Sequence, residues 1–308
     1  MATLVIEDPI FRQHRVPRGH PERPERLAAI TTALAEPQFA PLIREEATSI
    51  EPEQVLAAHT EAYLGELRAL VPAEGIAQIE ADTYLSPESF AVALCAAGSA
   101  CAAVDAVMEG RAQNAFVACR PPGHHAEANR AMGFCLLNNV AIAARHAQKT
   151  HGAGRIAIID WDVHHGNGTQ AIFWDDPSVL YGSTHEMPLY PGTGAISETG
   201  AGNIFNAPLS AGADGTQFAA AMRERILPAV DDFAPDLILI SAGFDAHWRD
   251  PLASLNFKEE DFAWATEAVM EIAARRCSGR VVSVLEGGYD LTGLAQSAAA
   301  HVARLMAA

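Results

Sequence analysis

The sequence predicts an α/β fold: one domain built on a mostly parallel sheet with helices on both faces. Short apolar runs alternate with longer stretches of helical period, the mark of βαβ units. The run Ile156–Ile159, inside RIAIIDWDVHHGNGTQ (155–170), is apolar at every position, as a strand buried on both faces must be. Four such runs open into polar, chemically useful residues, and parallel sheets form their sites beyond the carboxyl ends of the strands.

In chain order, ATLVI (2–6) reads as a first strand. The loop HRVPRGHPERPERL follows and ends at Pro24 and Glu25, which suit a helix start. It is either a surface loop or part of a site rim. Residues 25–35 and 52–70 have helical spacing, with Pro52 near a start, while 76–86 lacks a period and reads as a loop. An Ala-rich helix runs from Pro87 to Met108 and is closed by Gly110. The strand 114–119 leads into RPPGHHAEANRAMGF, a loop with adjacent histidines, and then into a helix from Leu137 to Thr150. After the central strand come a short helix (169–174), a strand (178–183) and a Gly-rich loop (185–203). Helix 214–233, strand 236–242, helix 259–275, strand 280–285 and helix 291–306 complete the chain. No repeat or linker divides residues 1–308.

Composition is that of a globular protein with ample core: 49% hydrophobic and 19% charged residues. A net charge of −17 argues against a nucleic-acid surface and mildly favours a cationic substrate. Five cysteines without metal-type spacing make no disulfide framework; Cys95, Cys101, Cys119 and Cys135 sit among apolar neighbours as core thiols. The start, MATLVIEDPIF, lacks a basic segment followed by an apolar one, and no apolar run approaches membrane-spanning length. A cytoplasmic protein without a membrane partner is the expectation. Oligomeric state is unreadable, and a homo-oligomer stays open.

The polar clusters point to a metal site. If strand alternation continues past Ile159, Asp160, Asp162 and His164 share one side. Two carboxylates and an imidazole beside a buried strand are costly unless a cation sits among them. The bland alternative is a solvated strand end. Asp162, His164 and Asp245 would supply three ligands and leave positions open, as catalytic sites do. Asp245 alone could equally be a cap or turn residue. His124 and His125 would act as base and electrophile, with Asp160 orienting one ring and Asn167 the other. The Tyr289 hydroxyl, after Gly287 and Gly288, would donate to a developing oxyanion, unless it is simply a buried tyrosine. Together these parts describe metal-assisted hydrolysis of an amide or ester.

The stretches RPPGHHAE, GFCLLNNVAIAARHA, DWDVHHGNGTQ, SAGFDAHWRDPL and LEGGYDL resemble the zinc-dependent histone deacetylases, nearest to class II and its bacterial relatives. That superfamily includes acetylpolyamine amidohydrolases. The resemblance runs from about residue 14 to the last helix and implies the arginase/deacetylase fold with an eight-stranded parallel sheet. It implies one zinc held by Asp162, His164 and Asp245, with His125 as general base and His124, paired with Asp160, acting electrostatically or as acid. Tyr289 would be the oxyanion donor. Asn167 stands where class I enzymes carry Asp. The resemblance further implies a substrate channel walled by Phe134 and Tyr190 (the second usually Phe). Gly133 would meet the substrate amide and Asp82 its backbone. A structural potassium would involve Asp160, Ser183 and Thr184 with the backbone of Asp162 and His164. Leu252 takes the rim position where the polyamine-selective enzyme carries a glutamate gatekeeper. Short loops at 14–24 and 76–86 hint at an open mouth.

The implied substrate is an acyl-lysine or a small acylated amine; an acetylpolyamine or a xenobiotic amide is the alternative. Dimanganese ureohydrolases share the fold, but the tandem histidines and EGGY are foreign to them. A non-catalytic acyl-lysine binder would be expected to lose Tyr289 or a metal ligand, and this chain keeps them all.

Overall fold

The computed structural model describes residues 2–307. Among the described residues there are ten strands: β1 Thr3–Ile6, β2 Ile43–Glu45, β3 Ala77–Gln78, β4 Tyr84–Leu85, β5 Asn114–Val117, β6 Ile156–Asp160, β7 Val179–Glu186, β8 Ile204–Leu209, β9 Leu237–Ala242 and β10 Val281–Leu285. Eight form one sheet in the order β2-β1-β5-β10-β9-β6-β7-β8, with every neighbouring pair parallel. The inner strands are buried along their whole length, which is why they read as continuous apolar runs. The last two strands to be made, β9 and β10, fill the gap between β5 and β6.

Two strands of this sheet escaped the sequence reading, and both are edges. β2 is only three residues, IRE, while β8 carries Asn206 and Pro208, tolerable at an edge where no partner needs the missing N–H. The region 76–86, expected to be a loop, contains the two-residue ribbon β3–β4.

The helices are α1 Glu25–Ala33, α2 Pro52–Val55, α3 Glu61–Ala69, α4 Ser89–Met108, α5 Asn139–His151, α6 Asn167–Ile172, α7 Gly215–Ala221, α8 Leu227–Phe233, α9 Glu259–Arg276 and α10 Leu291–Ala307. On one face of the sheet α4 packs against α5, β5 and β10. On the other, α10 packs against α1, α9 and β5. The single helix expected over 52–70 is two, because Thr60 caps a fresh start by accepting from the Tyr63 N–H. The helix expected over 214–233 is interrupted by a π turn at Met222–Ile226, just before Pro228, which has no N–H to return to the preceding turn.

The expectation that no apolar run reaches spanning length needs correction. α4 is 20 residues long and apolar enough to cross a membrane, but most of it is buried inside this fold, against the sheet and α5.

Candidate active site

The four strands whose ends carry the polar clusters, β5, β10, β9 and β6, are consecutive in the middle of the sheet. Because they are parallel, their carboxyl ends open at one edge. His124 and His125 follow β5, Tyr289 follows β10, Asp245 follows β9, and Asp162 and His164 follow β6. The alternation argument for this last pair does not hold, since β6 stops at Asp160 and the chain bends. Asp160 instead pins the bend: its Oδ1 accepts the Asp162 N–H at 3.1 Å.

Asp162, His164 and Asp245 offer donor atoms that all lie within 4.8 Å of one another, and all three are buried. His164 Nδ1 is 3.1 Å from Asp162 Oδ1 and 3.2 Å from Asp245 Oδ2. The other carboxylate oxygens are held by backbone: Asp162 Oδ2 accepts from Gly287 N–H and Asp245 Oδ1 from Val163 N–H, each at 2.8 Å. This backbone grip aims the remaining oxygens at the imidazole. A Cβ at Gly287 would stand 2.0 Å from Asp245 Oδ2, so only glycine lets the chain pass here.

Electrostatically the trio is unfinished. Burial pushes the Asp245 carboxyl up to about 7, with Asp162 adding to the rise. Burial opposes the charged His164 ring, yet its bonds to Asp162 and Asp245 lift it to about 10. One imidazole shared by two buried carboxylates leaves a deficit of positive charge, which a divalent ion would supply. The donor set therefore fits a metal with open positions. Among the described residues one other such group exists, Asp105, His146 and His151 on α4 and α5, partly exposed and away from the strand ends.

The surroundings of the tandem histidines favour different charge states although their ring centroids are 4.0 Å apart. Burial works against a charged His124, but Asp162 and Asp160 outweigh it and raise the ring well above its usual value. His124 Nδ1 donates to Asp160 Oδ2 at 3.0 Å, and the Tyr181 hydroxyl donates to the same oxygen at 2.9 Å. His125 is pushed well below the usual value, by burial and then by the charges of His124 and His164. Its Nδ1 bonds to Asn167 Oδ1 at 2.9 Å. Glu286 fixes the loop that carries both: its Oε2 accepts from Gly123 N–H at 2.6 Å and His124 N–H at 3.1 Å. The sequence reading missed Glu286, since a glutamate after a strand looks solvated.

No protein group among the described residues engages the Tyr289 hydroxyl, while its backbone N–H donates to Asp250 Oδ2 at 2.7 Å. Behind it lies the segment expected to be a surface loop or rim, which is partly each and also enters the core: Arg15, Arg18 and Arg23 are exposed, and His20 lies edge-on to Phe134 at 4.7 Å. Arg26 is buried and donates to the Gly288 carbonyl at 2.6 Å and the Glu286 carbonyl at 2.5 Å. Glu22, also buried, accepts from Arg26 at 3.1 Å and from Arg120 at 2.5 and 2.7 Å. Basic and acidic residues in a Pro-rich stretch gave no hint of this.

Among known proteins, the histone deacetylase domain family matches residues 20–305. The chain belongs to the histone deacetylase family. It is 41% identical over 302 residues to a probable deacetylase of Archaeoglobus fulgidus, covering 95% of this chain and 83% of that one. It is 40% identical over 278 residues to the histone deacetylase-like amidohydrolase of Pseudomonas aeruginosa, covering 88% and 73%. The crystal structure of the HDA15 HD domain superposes with a TM-score of 0.94 at 36% identity, over 99% of this chain and 88% of that one. The arginase/deacetylase fold implied by the sequence motifs is the fold observed.

In this deacetylase-family chain the aromatic residues gather at the cluster. The Phe134 ring lies edge-on to Tyr289 (5.8 Å), and Tyr190 lies edge-on to His125 (5.1 Å). Gly133 adopts φ +57°, and a Cβ there would meet the His125 ring at 2.4 Å. Asp82 reaches the same turn, its Oδ1 accepting the Gly133 N–H at 3.2 Å. Leu252 is half-buried and meets the site only indirectly: its N–H donates to Asp250, which also holds Tyr289. Ser183 pairs in register with Asp160; Ser183 bonds His185, and the neighbouring buried Thr184 hydroxyl has no partner.

Proposed function

We propose that this chain is a zinc-dependent amidohydrolase that removes acyl groups from lysine side chains or small acylated amines. The observation that carries the reading is the buried trio of Asp162, His164 and Asp245, faced by two histidines of opposite charge tendency. The trio would hold one ion, which when bound supplies Lewis acidity toward an amide carbonyl and acidifies water. Phe134 and Tyr190 flank the acyl-bearing chain.

His125, with Nδ1 tied to Asn167, presents Nε2 to take a proton from the attacking water. The oxygen so freed adds to the carbonyl carbon. Tyr289 donates its hydroxyl hydrogen bond to the oxyanion that forms. His124 lends positive charge, or a proton, to the departing nitrogen as the C–N bond breaks, leaving a carboxylate and an amine. No covalent acyl-enzyme is needed, and burial pushes the nearest thiol, Cys135, well above its usual range.

Leu252 in place of a rim glutamate orders acyl-lysine ahead of acetylpolyamines, and the net charge of −17 suits substrates that release or carry a cation. A potassium near Asp160, Ser183 and Thr184 remains part of the reading, supported by the orphaned Thr184 hydroxyl. The proposed setting is the cytoplasm, in keeping with five unpaired cysteines.

The test is a panel of acetyl-lysine peptide, N-acetylputrescine and a neutral amide, assayed before and after chelation, with bound metal counted. Hydrolysis abolished by chelator and restored by one zinc per chain is expected. A manganese pair would favour a ureohydrolase. Tight acyl-lysine binding without turnover would make the chain a binder.

A further inference from the structure

We propose that Glu127 is a positioning residue for the base: it sets the orientation of the Asn167 amide and, through it, which nitrogen of His125 carries the hydrogen. This rests on the reading of His125 as general base, but the tautomer can be observed without any turnover.

The two ends of the Asn167 amide differ, since Nδ2 only donates and Oδ1 only accepts. Glu127 Oε1 lies 2.9 Å from Asn167 Nδ2. A carboxylate oxygen accepts, so the nitrogen end must face it. Two further acceptors stand on the same side, Met132 Sδ at 3.3 Å and the His125 carbonyl at 3.5 Å. The first is a weak acceptor and the second is at the limit of a useful distance, so Glu127 decides the orientation.

With the nitrogen so placed, Oδ1 faces His125 Nδ1 at 2.9 Å. An amide oxygen can only accept, so Nδ1 carries the hydrogen and Nε2 is left bare. Were the amide reversed, its N–H would donate to Nδ1 and the ring hydrogen would move to Nε2. That ring could not take a proton there.

The backbone keeps the two groups at this range. Glu127 N–H donates to the Arg130 carbonyl at 3.0 Å, closing the turn after the tandem histidines. At the start of α6, Thr169 N–H donates to the His124 carbonyl at 3.1 Å. The loop that holds Glu127 and the helix that holds Asn167 are thus stitched together beside the base. The cluster GHHAE therefore encodes the base and, two residues later, the group that sets its tautomer.

The experiment uses the full chain as purified, in four variants: Glu127→Ala, Glu127→Gln, Asn167→Asp and the double Glu127→Ala/Asn167→Asp. Two readouts apply: kcat and KM on an acetyl-lysine peptide, and two-bond proton–nitrogen spectra of the protein labelled with 15N-histidine. Glu127→Ala should lower kcat roughly tenfold to a hundredfold, the span of a hydrogen bond to a charged group, with KM little changed. Its His125 signals should shift toward the Nε2–H form. Glu127→Gln keeps an acceptor and should retain most of the turnover.

Aspartate at 167 has no wrong way round, but it faces a second carboxylate across 2.9 Å. Asn167→Asp should therefore be slow alone and faster once Glu127→Ala is added. A Glu127→Ala protein with wild-type kcat and an unshifted His125 signal overturns the proposal. So does a kcat loss that the aspartate fails to relieve. Absence of hydrolysis by the wild type, with the His125 tautomer still responding to Glu127→Ala, supports the positioning role and strikes only at the functional reading.

Discussion

The guanidinium of Arg26 lies 5.0 Å from the centroid of the Tyr289 ring, and the same group binds the carbonyls of Gly288 and Glu286. The aromatic ring is therefore held from behind by a cation and by its own backbone, while its hydroxyl is left without a protein partner. Rigid support behind a free donor is what oxyanion stabilisation requires.

Tyr289→Phe removes that donor and nothing else. Its hydroxyl bonds no protein group among the described residues, so stability and metal content should match wild type. Turnover should fall by about two to three powers of ten, the scale of losing one oxyanion donor. Steady-state kinetics alongside metal analysis check this, and near-normal kcat would remove Tyr289 from the mechanism.

Glu22→Ala strands two buried guanidiniums, Arg26 and Arg120. Burial alone would raise the Glu22 carboxyl, yet Arg120 and Arg26 hold it at about 2. Removing one member of such a buried cluster costs about 3–5 kcal/mol. Denaturant unfolding should show that loss, together with reduced kcat as the Tyr289 support loosens. A midpoint unchanged from wild type would contradict it.

The inner strands were legible because burial on both faces demands an unbroken apolar run, as in Ile156–Ile159. The edges β2 and β8 were not, because an exposed Arg44, a half-buried Pro208 and a buried Asn206, whose Nδ2 donates to Gln170 Oε1, break the apolar run. Strand-end placement brought Asp245 next to Asp162 and His164 from far along the chain, although for Asp162 and His164 the reason was a bend and not strand alternation. What stayed hidden was the buried charge behind the site. Glu22, Arg26, Arg120 and Glu286 look like solvated residues until tertiary pairing shows where their partners lie. Glu127 was hidden similarly, since its role depends on a helix forty residues away.

Gly287→Ala places a methyl 2.0 Å from Asp245 Oδ2 and 2.6 Å from Asp162 Oδ2. The trio must spread or turn, while β10, which ends at Leu285, keeps its sequence and register. Metal affinity should fall by roughly 10–100-fold, as when groups that orient ligands are disturbed. Equilibrium dialysis with zinc measures this, and unchanged affinity would show that the carboxylates can shift without loss.

His301 makes acid sensitivity measurable at one residue. The Thr266 hydroxyl donates to the Phe262 carbonyl, so it accepts from His301 Nδ1–H at 2.7 Å, leaving Nε2 to accept from Ser283 at 2.8 Å. The ring is thus built in neutral, and burial pushes it down to about 3. Unfolded, it titrates near the usual value of about 6.5. Between those pH values the unfolded chain binds a proton that the folded chain refuses. This contribution is therefore complete above about pH 6.5 and is lost as pH falls toward 3, at about 1.4 kcal/mol per pH unit. Buried carboxyls such as Glu286, pushed up to about 7, act in the opposite direction, so the informative quantity is a difference between variants. His301→Gln keeps hydrogen-bonding capacity without the titration. Its stability relative to wild type should rise steadily as pH falls from 6.5 to 4.5, in matched denaturant series. A difference that does not change with pH would mean that His301 takes up its proton without unfolding.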